Sequence, residues 1–161
     1  MRNLILIVLV VISMPILIAA QKSTEANVES TAATLRKYQL ETQLKNLYSS
    51  FLETISKGDI EAYSQMITNK YVFTRDSGET LNKEQRVQQL KAEAEYVESF
   101  NITSARFSIY RNSAVGNFDL EEKDVFQGTD YNYLFRVTVF FVKTKNKGWR
   151  IAAVHSTRIS K

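Results

Sequence analysis

One histidine, one tryptophan and no cysteine among 161 residues set narrow bounds on the chemistry this chain can do. Thiol nucleophiles, zinc–thiolate centres and redox work are excluded, and a single histidine excludes multi-histidine metal sites, so neither a metal nor a cofactor is expected. In the run WRIAAVHSTRIS the residues Trp149, Ile151, Ala153, His155, Thr157 and Ile159 share one parity. That alternation describes a half-buried antiparallel strand with His155 in the same row as Trp149. An imidazole there titrates near neutral pH and could act as a general base, contact a ligand, or be held structurally by a tyrosine or a carbonyl. Trp149 reads as a core plug or as a stacking surface for a ligand. Arg136 interrupts the apolar run YNYLFRVTVFFVKT, and burying it unpaired is costly. It therefore needs a carboxylate partner, access to water in a pocket, or an anion. Tyr63, Tyr71 and Phe73 would supply a mixed apolar and hydrogen-bonding wall, suited to a small hydrophobic ligand and equally to ordinary packing.

The elements that must position these residues follow from periodicity. Leu40, Leu44, Leu47, Phe51 and Ile55, spaced by threes and fours, define the buried stripe of a first helix starting near Thr34. Lys57-Gly58 ends it, and Asp59 caps a second helix over Ile60 to Ile67. Tyr71 to Thr74 is a short strand, and Asp76-Ser77-Gly78 a turn that uses glycine at positive φ. Asn82 and Gln85 match a capping box ahead of a third helix from Lys83 to Tyr96. Strands follow over Phe100 to Tyr110 and Ser113 to Leu120, with Glu121 to Asp124 as a solvated charged turn or strand end. Tyr131 to Lys143 and Trp149 onward form the last two strands, joined across Lys145-Asn146-Lys147-Gly148. Helices gathered before antiparallel strands imply an α+β fold with the helices on one sheet face. Because Tyr131 to Lys143 is apolar on both parities, its outer face needs a cover, and a homodimer through the sheet is expected.

The N-terminus has a short basic head, an apolar centre from Leu4 to Ile18 broken by Pro15, and Ala19-Ala20 before polar Gln21. Those are the parts of a secretory signal peptide over residues 1–20, and they place the mature protein in the periplasm or outside the cell, free of the membrane. Residues 21–33 read as a flexible tether, and residues 34–161 as one domain. The net charge of +4 falls to +3 without Arg2. Lys143, Lys145 and Lys147 cluster at a hairpin tip, so nucleic acid is not an expected partner.

The phrases GDIEAYSQMITNKYVF, DSGETLNKEQRV, SAVG, FRVTVFFVK and GWRIAAVHST, in this order, resemble the nuclear transport factor 2-like superfamily. Within it, the likeness is to SnoaL-like domains of unknown function related to ketosteroid isomerase, and it runs from Leu40 to Ile159. The resemblance implies a cone: a strongly curved antiparallel sheet around three helices, a pocket open at one end, and frequent dimerisation. It also favours Arg136 pointing inward beside His155. The isomerase mechanism needs a carboxylate base opposite a tyrosine and a protonated acid in an apolar cavity. Tyr48 lies where such a tyrosine could sit, but Asp119, Glu121, Glu122 and Asp124 read as solvated. Three readings follow. One is a non-enzymatic pocket protein for a small apolar or weakly anionic molecule, with Arg136, His155, Trp149, Tyr63 and Phe73 as contacts. The others are an isomerase, dehydratase or cyclase using His155, and a dimeric interaction module with a vestigial pocket.

Overall fold

The structure, a computed structural model, describes residues 13–93 and 97–159. Residues 1–12 of the expected signal peptide lie outside the described residues, as do the last two of the chain. Two compact units divide between Glu41 and Thr42. Helix α1 (Ser13–Ser56) begins in the first unit and covers residues 21–33, where a tether was expected; within that unit Lys37 and Glu41 form an ion pair at 3.9 Å. No helix among the described residues is long and apolar enough to cross a membrane.

In the second unit, the last part of α1 buries Leu44, Tyr48, Phe51, Leu52 and Ile55, the apolar stripe of the sequence. The helix stops because Gly58 takes φ 65°, which lets Gly58 N–H reach the Ile55 carbonyl and Asp59 N–H reach that of Thr54. Asp59 then caps α2 (Ile60–Met66) by accepting from Ala62 N–H at 3.0 Å. Strand β1 (Ile67–Thr74) turns through Gly78 at φ 87° into the short β2 (Thr80–Asn82). Asn82 and Gln85 form the reciprocal capping box, both bonds 2.9 Å, and α3 (Lys83–Glu93) follows. Four long strands complete the unit: β3 (Val97–Ile109), β4 (Ser113–Phe126), β5 (Thr129–Thr144) and β6 (Gly148–Arg158).

The sheet is curved and unclosed, in the order β2-β1-β6-β5-β4-β3, with β1 and β6 parallel and the other pairs antiparallel. Tyr48 packs on Phe118 of β4 at 4.4 Å, and Phe51 on Tyr63 at 4.8 Å, so the helices cover the concave face. The α+β expectation holds, with one strand more than was read; three residues of β2 are too few to show an alternation.

Two details of the strands decide the site. First, β4 does not end at Leu120. It continues in register with β5 to the pair Phe126 and Thr129, and the reversal falls at Gln127-Gly128, with φ 51° and 77°. Two consecutive positive φ values make the tight hairpin turn whose twist matches its strands. Second, β6 carries a bulge. Phe141 pairs with Ile151 but Phe140 pairs with Ala153, leaving Ala152 as the extra residue. One inserted residue reverses the alternation beyond it. Trp149 and Ile151 face inward before the bulge; Val154, Ser156 and Arg158 do so after it.

Candidate functional site

That reversal moves His155. It lies exposed on the outer face, opposite Thr138 of β5, instead of in the row of Trp149 and Ile151. Arg136 is also on the outer face, because the inward parity of β5 is Phe135, Val137, Val139 and Phe141. Its Nε donates to Asp119 Oδ1 at 2.9 Å, which holds the Asp119 carboxyl below its ordinary value and raises the guanidinium. The carboxylate partner required of Arg136 is therefore present, but on the convex side. The expectation that Arg136 and His155 share the pocket wall is corrected by these two placements. Trp149 is buried at the far end of β6, and Tyr63 is fully buried under α1. Of the five residues singled out as ligand contacts, Phe73 alone lines the cavity at the Glu122 and Asp124 end of the concave face.

That cavity has a volume of about 490 Å³ and is bounded by the concave ends of β4, β5 and β6, by α3, and by β1 with its turn. Its apolar walls come from Phe73, Phe100, Phe126, Tyr131, Tyr133 and Phe135. A smaller space of about 70 Å³ shares Phe73, Arg86 and Glu122 with it and is floored by Tyr48 and Tyr71. Tyr63 donates to the Tyr71 hydroxyl at 3.2 Å beneath the cavity. Burial pushes all three phenols, Tyr48, Tyr63 and Tyr71, above their usual range, so they stand as neutral hydrogen-bonding groups.

The polar side chains of the cavity are the ones the sequence reading set aside as solvated. Extending the buried parity of β4 from Ala114, Gly116, Phe118 and Leu120 by two further steps gives Glu122 and Asp124, and both line the cavity. Their carboxyls lie close enough to shift one another's titration. Burial, with Asp124 next in weight, pushes Glu122 up to about 7; burial also raises Asp124, against Glu122 and the charge of Arg158, which lower it. Glu122 therefore still holds a proton close to neutrality, where an ordinary carboxyl has lost it.

Three guanidiniums share the cavity lining with them. Arg158 Nε donates to Asp76 Oδ2 at 3.1 Å, with its guanidinium carbon 4.5 Å from the Tyr133 ring centroid. Arg75 pairs with Glu79 at 3.7 Å. Arg86, from α3, lies 4.3 Å over the Phe73 ring and donates through Nη1 to Gln89 at 2.6 Å. Two buried atoms of this cluster have no protein partner: Arg86 Nε and Asp124 Oδ1. Chemically, the site can hold a proton near neutral pH, accept a hydrogen bond at Asp124 and donate one at Arg86, within aromatic walls. Among the described residues no group of three or more His, Cys, Asp or Glu side chains could hold a metal ion.

A curved, open sheet with helices on its concave face is the architecture of the nuclear transport factor 2-like proteins. The model of the SnoaL-like domain matches residues 44–159, and the chain belongs to that family. Among solved structures, a nuclear transport factor 2-like superfamily protein from Salmonella enterica has a TM-score of 0.70 at 19% identity, covering 78% of this chain and 94% of that one. A protein with a cystatin-like fold from Novosphingobium aromaticivorans has a TM-score of 0.67 at 15% identity, covering 80% and 88%. A ketosteroid isomerase-like protein from Erwinia carotovora has a TM-score of 0.61 at 15% identity, covering 73% and 94%. No curated protein matches the chain.

Proposed function

We propose that this chain binds a small, largely apolar molecule in the cavity bounded by Phe73, Tyr133 and Phe135, with the Glu122–Asp124 pair as its polar anchor. The observation that carries this reading is the pair itself, set among aromatic walls with a buried carboxylate oxygen that no protein group satisfies. A core built only for stability leaves few such atoms, because each costs roughly 1–3 kcal/mol. A cavity of this volume lies within the ~300–1,000 Å³ range of small-molecule sites. The test is a screen of small aromatic and alicyclic compounds by protein-observed NMR. Shifts at Phe73, Glu122, Tyr133 and Ser156 are expected, and a screen in which no compound moves them sinks the reading.

A second reading is acid–base catalysis by Glu122. A carboxyl poised at about 7 in an apolar cavity suits a group that must both give and take a proton at neutral pH. The likeness to a ketosteroid isomerase-like protein points the same way, and turnover lost in Glu122→Gln while binding persists would separate this reading from binding alone. We also propose that the protein works outside the cytoplasm after removal of residues 1–20, on the strength of the basic head, apolar centre and small residues at Ala19-Ala20. Intact mass of the protein recovered from the cell envelope checks that cut.

A further inference from the structure

The charges around the cavity cancel locally in two of three cases. Arg158 is paired with Asp76 and Arg75 with Glu79, which leaves Arg86 facing the Glu122–Asp124 pair. A ligand carboxylate placed here would lie beside the carboxyls of Glu122 and Asp124. A ligand ammonium or amidinium would meet Arg86. It would also find two of the aromatic platforms taken, since the protein's own guanidiniums lie over Phe73 and Tyr133. A charged head of either sign would therefore meet a like charge in the cavity lining.

The two unsatisfied atoms are one acceptor and one donor, Asp124 Oδ1 and Arg86 Nε; both are closed off as the side chains stand, but both side chains line the cavity, so a ligand meets these atoms when the two side chains turn toward it. Resting on the reading of this cavity as a ligand site, we infer that the ligand's polar part is uncharged and carries both functions: an N–H or O–H for Asp124 and a carbonyl-type oxygen for Arg86. Amides, lactams and hydroxy-ketones have this chemistry; carboxylates and amines lack it. The aromatic walls then take an apolar ring attached to that head. Selection comes from the cost of leaving Asp124 Oδ1 or Arg86 Nε unmet, which penalises the analogue without the matching group more than an ordinary hydrogen bond rewards the right one.

Four compounds of nearly equal shape decide the matter: benzamide, benzoate, benzamidine and toluene, each titrated into the full chain and followed by NMR shifts of Phe73, Glu122 and Tyr133. Benzamide is expected to bind about tenfold more tightly than the other three, the weight of one hydrogen bond met instead of left unmade. Asp124→Leu should remove that advantage while toluene still binds, which also reports that the cavity remains folded. Benzoate or benzamidine binding as tightly as benzamide overturns the inference, as does benzamide retaining its advantage in Asp124→Leu. Toluene matching benzamide overturns it too, yet leaves the cavity standing as an apolar ligand site. If none of the four shifts these residues up to its solubility, the inference and the reading of the cavity both fall.

Discussion

Glu122 and Asp124 stand two residues apart on β4, and that spacing puts both carboxyls on one face of the strand, where the charge of Asp124 adds to burial in holding a proton on Glu122. The pair makes stability depend on pH in a definite direction. Glu122 rises from 4.5 to about 7 on folding, so between those values the folded state holds a proton that the unfolded state has lost. Its contribution is full below about pH 4.5 and is lost as the pH rises through 7. Asp124, also raised, acts with the same sign. Melting temperatures measured across this window should fall with rising pH and level off above it. Glu122→Gln should flatten the profile, removing a slope worth on the order of 2 kcal/mol after allowance for partial exposure. A carboxyl carbon of Glu122 that titrates below pH 5 would remove the basis of this expectation.

His155 is the opposite case. It is exposed on the convex face beyond the bulge at Ala152, away from the cavity. His155→Ala is expected to leave both stability and any ligand response nearly unchanged, within about 0.5 kcal/mol, as for surface substitutions that touch no special feature. Loss of binding in that variant, with Glu122→Leu binding normally, would move the site to the other face of the sheet.

Gly116 shows how tightly the concave face is filled beneath the cavity. A Cβ built there would lie 2.6 Å from Phe118 Cε2 and 3.0 Å from Phe141 Cε2. Both rings are fully buried and have no free space to retreat into. Gly116→Ala should therefore destabilise the protein by about 1–3 kcal/mol by overpacking. Adding Phe118→Leu should recover part of the loss. Urea midpoints of the two variants measure both effects, and a neutral Gly116→Ala would show that the rings can move.

How far the sequence carries a reader depends on whether a rule is local. The caps at Asp59 and Asn82, the turn at Gly78 and the stripe on α1 are decided within four residues, and each was legible. The site was not, for two reasons of parity. A bulge leaves no mark in Ala152-Ala153, since either alanine can be skipped, and so the alternation was carried straight through to His155. On β4, acidic residues were read as solvated because charge normally means exposure. The rule failed where burial holds a proton on Glu122. The signal that would have found them was the turn: Gln127-Gly128 offers a tight hairpin six residues beyond Glu121, and with the reversal placed there Glu122 and Asp124 fall on the buried row.

The convex face supplies the last expectation. Val72, Ala153, Phe140 and Val115 are successive cross-strand partners over β1, β6, β5 and β4, and they form an apolar row on the side away from the helices. Val72 and Phe140 are each 39% exposed, as is Leu134, two residues from Arg136 on the same face of β5. Contiguous apolar surface of this kind on an open sheet is uncommon unless something covers it, and a second copy of the same face is the simplest cover. A homodimer is therefore expected, with Phe140 near its centre. Light scattering at micromolar concentrations should return twice the chain mass for the wild type. Phe140→Glu should return the mass of one chain with unchanged circular dichroism, because the residue faces away from the core and its charge would be desolvated only at the interface. A wild-type protein that runs as a single chain would mean that this row is left uncovered.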